Sequence, residues 1–329
     1  MLKSVIPNNA NYVTLALGIA LLVGWAAGLL CRRIKIPMVV GYIVTGIILG
    51  RSALGLFNST NIKGLDFITY LGLACIGFDI GGELALSKMK NLGKPIIWIS
   101  ALETLGATML VTLAIYAYTR KLPLALIFGA LAAATAPAAT VDVLREYQTS
   151  GPLTTTTFAV VGIDDAYAVM IYTFAAFFTK MLLSKKSVHV TEVVLRPAGE
   201  IFGSLVLGLV IGLIFLFIIR HYTARRGLMV ITWGVIVVNT ALANVLNMSL
   251  ILANMALGLT IVNLTRWKRE DLFELIRYTT PPLFVLFFVL IGAQLDAGKL
   301  ATLGVLGLLY VILRSVGKMG GSYIGGVIS

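Results

Sequence analysis

Charge is what this sequence has least of. Charged residues make up 12% of its 329 positions, against roughly 25% in an ordinary soluble domain. That scarcity excludes a soluble globular chain. Histidine and cysteine are almost as rare, with two of each, and His189, His221, Cys31 and Cys75 show no metal-ligand spacing. One cysteine ends an apolar block and the other lies inside one, so both read as small membrane-compatible side chains and not as a disulfide. A nucleophile, base and orienting group on one side of a membrane are also lacking, which excludes a soluble-type enzyme. Acidic residues number only 14 against 26 basic ones, giving a net charge of +12. That excess does not signal nucleic acid. The basic residues cluster in short links such as "CRRIK", "SKMKNLGK" and "TRWKR", where membrane proteins carry the charges that orient them.

What fills the chain is apolar sequence, 59% of it, in blocks separated by those links. The blocks run to about 17 to 25 residues, the length that crosses a hydrocarbon core of about 30 Å as a helix. The chain therefore reads as an all-α polytopic membrane protein in contact with lipid. About eleven segments are expected, beginning near residues 12, 37, 66, 95, 122, 155, 198, 227, 248, 281 and 299. The first block lacks a peptidase-like end and runs straight into the next, so it is read as a retained helix. Links after odd-numbered segments hold 14 Lys and Arg, and the other side holds 10. Positive charge favours the cytoplasm, which places the N-terminus outside.

The two halves echo each other. "CIGFDIGGELALSKM" in the third segment and "VLIGAQLDAGKLATL" in the tenth both run from Ile-Gly to an acidic residue and a Leu-rich basic exit. A shift of seven segments is odd, so the copies would run in opposite directions, as inverted repeats of secondary transporters do. Segment 4 then pairs with segment 11. Counterparts for segments 5 and 6 do not follow "GKMGGSYIGGVIS". The C-terminal end therefore reads as truncated, or the second half as abbreviated, and the 329 residues alone are not expected to exchange ions.

Chemistry concentrates in segments 5, 6 and 11. "TAPAAT" falls midway through segment 5, with Pro137 between Thr135 and Thr140. Proline removes a backbone donor and clashes with the preceding turn. The outcome is either a simple kink or a discontinuous helix whose freed carbonyls bind an ion. Segment 6 carries "GIDDAYAV", with Asp164 and Asp165 inside an apolar run. A carboxylate at mid-bilayer costs about 3 kcal/mol on insertion scales. Neighbours on a helix diverge by about 100°, so the two cannot share one direction. Segment 11 carries Arg314 and Lys318 one turn apart. Either both mark a membrane exit, or one pairs with an aspartate, since buried charges need partners. Glu103 is either an accessory charge beside the break or helix-packing glue. Asp79, Glu83, Asn239, Asn244 and Asn254 read as glue. Residues 265–280 form an amphipathic connector on the cytoplasmic surface.

"ATAPAATVDVLREYQTSGPLT" followed by "VVGIDDAYAV" resembles the monovalent cation:proton antiporter-2 family, as do "GYIVTGIILGRSALGL" and "PPLFVLFFVLIGAQLD". The resemblance runs along nearly the whole chain in order. It implies a core domain with broken helices, here about 95–182 and 299–329. It also implies a scaffold through which two copies pair as a homodimer, here about 12–54 and 198–264. An aspartate pair resembles the electrogenic, sodium-exchanging members. By position, Asp165 matches the family's ion-binding carboxylate. Asp164 matches the carboxylate that pairs with a base, for which Arg314 and Lys318 are both candidates.

The expected activity is exchange of a monovalent cation, Na+ or Li+, for protons by alternating access at the cell membrane, with no cofactor. Sodium prefers oxygen ligands, which Asp165, Asp164, Thr135, Thr140 and freed carbonyls can supply. Adjacent carboxylates resist joint ionisation, so protons and the cation compete for the same oxygens. The alternatives are a potassium-efflux or channel-like member of the same fold, or a non-transporting membrane scaffold or sensor.

Overall fold

The computed structural model describes residues 10–57, 64–86, 93–183, 190–220, 225–265 and 269–329. His189, His221 and the first part of the connector (266–268) lie outside these residues, as does the side chain of Asp165. Thirteen helices account for nearly all the described chain, since long apolar stretches leave the backbone no other way to satisfy itself in lipid. They are α1 (Ala10–Arg33), α2 (Met38–Leu49), α3 (Asp66–Glu83), α4 (Gly93–Thr119), α5 (Leu122–Ala133), α6 (Pro137–Glu146) and α7 (Pro152–Leu183). Then follow α8 (Val190–Ile219), α9 (Arg225–Val245), α10 (Leu250–Leu264), α11 (Arg269–Thr279), α12 (Pro281–Gln294) and α13 (Ala297–Ile328).

Each of the eleven expected segments contains a helix, but not every helix is long enough to span. Among the described residues, seven stretches are long and apolar enough to cross a membrane, or eight if the bent pair α11–α12 counts as one. The difference lies in short or charged elements. Helix α2 has 12 residues, α10 has 15, and α3 carries Asp66, Asp79 and Glu83. At 1.5 Å per residue, a 12-residue helix reaches only about 18 Å.

Those short helices pack in two tight pairs. In α2 against α12, a Cβ added at Gly46 would stand 2.1 Å from the Val289 carbonyl oxygen, and one at Gly292 would stand 2.2 Å from that of Ile43. In α3 against α10, a Cβ at Gly81 would stand 2.1 Å from the Met255 oxygen, and one at Gly258 would stand 2.2 Å from that of Phe78. Only glycine lets backbones approach so closely, the usual device of helix pairs in membranes. The two pairs are related. A two-fold that exchanges each segment with the one seven places on turns the contact of segments 2 and 10 into that of segments 9 and 3, which are these two pairs. The same operation maps segments 4 and 11 onto each other, and among the described residues α4 and α13 are the most extensively packed helix pair. The contacts follow the inverted-repeat pattern.

The α4–α13 pair is itself a small-residue seam. Gly317, Gly321 and Gly325 recur every four residues along α13, and their added Cβ atoms would meet the backbone of Ala107 (2.6 Å), Leu102 (2.1 Å) and Ile99 (2.6 Å). Helices α4, α5, α7 and α13 pack mainly among themselves, whereas α1, α2 and α12, and α3, α8 and α10, form the remaining layers. Helix α13 bends at Gly304, whose φ of 48° lies where glycine alone is unstrained. Asparagines join α9 to α10: Asn239 Nδ2 donates to Asn254 Oδ1 (3.1 Å), and Asn254 Nδ2 donates to Thr240 Oγ1 (3.0 Å). Asn244, expected to take part, is exposed instead.

Candidate functional site

Segment 5 is a broken helix. Helix α5 stops at Ala133, and α6 starts at Pro137, with Ala134 (φ −60°, ψ 138°) and Ala136 (φ −90°, ψ 94°) extended between them. Proline explains both ends of the break. Pro137 offers no N–H to the Ala133 carbonyl and its ring crowds it, Ala136 before it is driven out of the helical region, and proline itself is welcome at the first position of a helix, where no N–H is needed. Three residues of unwound backbone thus lie midway along a stretch otherwise long enough to span.

Two side chains from other helices meet that break. Arg314 on α13 donates from Nη2 to the freed carbonyl oxygen of Ala134 (2.6 Å). Thr135 points its hydroxyl at Asp164 Oδ2 of α7. Asp164 is completely buried, and its carboxylate is surrounded by donors. Ser100 Oγ donates to Oδ1 (3.0 Å), and Thr104 Oγ1 lies 2.8 Å from the same oxygen. The Thr104 hydroxyl is also 2.6 Å from the Ser100 carbonyl oxygen, so its one proton serves either partner. Oδ2 accepts from Thr135 and from Lys318 Nζ (3.0 Å). A carboxylate has about four lone-pair positions, and here four protein groups converge on them.

Lys318 uses all three of its ammonium protons in the same place. Nζ lies 3.0 Å from Asp164 Oδ2, 2.7 Å from Thr135 Oγ1 and 2.8 Å from Glu103 Oε1. Ser322, one turn on from Lys318, donates to the other Glu103 oxygen (3.2 Å). Ser100, Glu103 and Thr104 fall at i, i+3 and i+4 on α4 and therefore share one face. The glycine seam presses that face against α13, which places Lys318 and Ser322 opposite it.

Of the two candidate bases, Lys318 reaches Asp164, and Arg314 caps the broken helix instead. Thr135 comes to the carboxylate, whereas Thr140 does not: its hydroxyl turns back to the Ala136 carbonyl oxygen (3.3 Å). Asp165 follows on α7, its backbone about 100° around from Asp164. Glu103 joins the cluster directly. Ser100, Thr104 and Ser322 were not singled out by the sequence, because a hydroxyl on a membrane helix commonly bonds its own preceding turn.

A second group of charges lies at the end of α6. Asp79, fully buried on α3, is ion-paired with Arg145 of α6 and with Arg277 Nε of α11 (3.3 Å), and Arg277 Nη2 also holds Glu83 Oε1 (2.5 Å). Beside it opens a cavity of about 700 Å³ lined by Arg32, Tyr42, Asp142, Glu146, Thr154 and Phe158 among others. Phe158 precedes Asp164 by six residues on α7, about 9 Å of helix rise.

A helical membrane protein whose broken helix meets a buried, base-paired aspartate has the architecture of a secondary transporter. The sequence pattern of the transmembrane sodium/hydrogen exchangers matches residues 17–328, and the chain belongs to that family, a family of transporters and not of enzymes. It is 25% identical over 299 residues to a Na+/H+ antiporter of Enterococcus hirae, covering 89% of this chain and 76% of that one. It is 22% identical over 307 residues to the high-affinity Na+/H+ antiporter NhaS3 of Synechocystis, covering 83% of this chain and 66% of that one. Its fold is similar to that of the sodium proton antiporter MjNhaP1 from Methanocaldococcus jannaschii, with a TM-score of 0.71, 21% identity, and coverage of 96% of this chain and 79% of that one. These likenesses reach the exchanger family as a whole and do not single out its antiporter-2 branch.

Proposed function

We propose that this chain is the ion-translocating unit of an electrogenic sodium/proton antiporter, with the cation site formed by Asp165, Asp164 and Thr135 beside the broken helix. The observation that carries this reading is the buried Asp164 carboxylate, held by Lys318 at the level of the break. A buried ion pair of that kind contributes little net stability but is costly to disturb. Its placement beside unwound backbone is what a site for competing cations requires.

Sodium brings a positive charge to oxygens that otherwise hold protons or Lys318. Its arrival on the aspartates displaces those protons, and their return displaces sodium. The hard-cation preference for oxygen favours Asp, Thr and carbonyl donors. The 700 Å³ cavity, with Asp142 and Glu146 on its wall, is the approach from one side of the membrane. The excess of Lys and Arg in the links after odd-numbered segments supports a cytoplasmic position for that side and an N-terminus outside, in a cell membrane.

Movement is assigned to the group formed by α4, α5, α6, α7 and α13, against a scaffold that includes α1, α2, α8, α9 and α10. The packing supports this division, since the first group contacts the second less than it contacts itself. Exposed apolar side chains on α8, such as Phe202, Val206 and Phe217, face lipid or a second copy in a homodimer.

The test is sodium-driven proton movement in proteoliposomes that hold the full-length protein. Asp165→Asn abolishes exchange if Asp165 is the ion-binding carboxylate, and retained exchange overturns the assignment. Lithium and potassium gradients applied to the same vesicles establish the cation preference, and potassium flux without proton movement would instead support a channel-like activity.

A further inference from the structure

Lys318 is held by two carboxylates from two different helices, and only one of them belongs to the aspartate pair. Glu103 Oε1 stands 2.8 Å from Nζ, slightly nearer than Asp164 Oδ2 at 3.0 Å. Glu103 is itself fixed on its far oxygen by Ser322, which rides on the same helix as Lys318. The glycine seam at 317, 321 and 325 holds the two backbones in contact on either side of this pair. The Glu103–Lys318 contact is therefore made within one tightly packed helix pair. The Asp164–Lys318 contact reaches across to a third helix.

We propose that Glu103 is a positioning residue that retains Lys318, as a cation, when sodium takes its place on Asp164. This inference rests on the transport reading above and concerns how the same site counts charge. When a sodium ion arrives at the aspartates, the ammonium loses its partner on α7. Without another carboxylate it would be left charged beside a second cation in a poorly hydrated site, where like charges interact strongly. It would then have to release a proton or block the ion. Glu103 removes that choice. Nζ shifts its weight from Asp164 Oδ2 to Glu103 Oε1, keeps all its protons, and returns when sodium leaves. The protons exchanged are then those of the aspartates, and Lys318 contributes none.

Glu103→Gln keeps the shape and the acceptor oxygen but removes the charge. Its expected consequence is specific. Sodium affinity falls at least tenfold near neutral pH, and the loss shrinks as pH rises, because Lys318 can then give up its proton to admit the ion. Glu103→Asp, which keeps the charge on a shorter arm, restores most of the wild-type pH profile. The experiment measures radioactive sodium binding to purified protein between pH 6 and 10 for wild type, Glu103→Gln and Glu103→Asp. Thermal unfolding is followed in parallel.

A Glu103→Gln protein that stays folded, with sodium affinity within twofold of wild type at every pH, overturns the inference. A uniform loss independent of pH, or a loss that Glu103→Asp does not relieve, also overturns it, since a structural role alone would give that. Absence of sodium binding by the wild-type protein overturns the transport reading together with this one. That result is distinct from a wild type that binds and a Glu103→Gln variant that is unchanged. If Glu103→Gln does not fold, Ser322→Ala provides the second variant. It loosens Glu103 without removing its charge and is expected to give a smaller shift in the same direction. An unaltered pH profile in a folded Ser322→Ala protein counts against the inference.

Discussion

Lys318 and Asp164 sit 154 residues apart in sequence and 3.0 Å apart in space, with the ammonium reaching one carboxylate oxygen from a helix that does not adjoin α7 in the chain. The other carboxylate oxygen is met by hydroxyls of α4. Two other helices and the broken segment thus converge on one buried acid of α7, and the consequences can be tested separately.

Removing the base leaves two acids without their cation. Lys318→Met should lower stability by roughly 3 to 5 kcal/mol, the usual result of breaking a buried pair from one side. A drop in the unfolding temperature of the detergent-solubilised protein checks this. The double variant Lys318→Met with Asp164→Asn should recover part of the loss, because the most deeply buried charge is then gone as well.

Asp164→Asn keeps the hydrogen-bonding shape of the site but removes the charge that Lys318 answers. Exchange should persist at a reduced rate, with less charge moved per cycle. Currents on solid-supported membranes, compared with proton movement in the same vesicles, measure that ratio. An unchanged ratio would count against the electrogenic assignment.

The two threonines of "TAPAAT" are predicted to differ. Thr135→Val removes a group that both donates to Asp164 and accepts from Lys318, so sodium affinity should fall about tenfold for a lost charge-assisted bond of roughly 1.5 kcal/mol. Thr140→Val removes only a bond to its own helix and should change affinity by less than twofold, within about 0.5 kcal/mol. Sodium titrations of the two variants side by side decide the matter.

The seam between α4 and α13 should tolerate no added side chain. Gly321→Ala places a methyl where the Leu102 carbonyl oxygen would be 2.1 Å away, so the helices must separate. Overpacking of this kind costs about 1 to 3 kcal/mol and here also pulls Lys318 from Glu103. Gly320→Ala, with nothing within 4 Å, is the control and should leave folding and sodium binding as they are.

Arg145→Ala should destabilise the protein through Asp79, which is fully buried and loses one of its two cations. The expected loss is about 3 kcal/mol, read from thermal unfolding. Arg145→Ala combined with Asp79→Asn should be milder than the single change.

The sequence made the break and the acids legible for different reasons. Pro137 acts on its own neighbours, so its effect is local and readable. Asp164 stands out because a carboxylate in an apolar run has no unremarkable explanation. Arg314 and Lys318 could not be told apart, since both lie one turn apart on the same helix and only the tertiary packing says which faces α7. Ser100 and Thr104 were invisible for a similar reason: a lone hydroxyl on a lipid-facing pattern looks the same whether it serves its own helix or another. Apolar run length marks the eleven segments, each of which holds a helix, but it does not reveal that α2 and α10 are as short as 12 and 15 residues or that partners shelter them. The spacing of Gly317, Gly321 and Gly325 was present in the sequence and, as a small-xxx-small pattern, could have identified the α4–α13 interface.

The seam sets a limit on how the protein can move. With α4 and α13 touching backbone to backbone at three successive turns, neither can slide or tilt against the other without opening a gap along the whole interface. Lys318, Glu103, Ser100 and Thr104 are consequently cargo on one rigid plate. On the alternating-access reading proposed above, that plate would travel as a piece, with the ends of its side chains left to rearrange at the site.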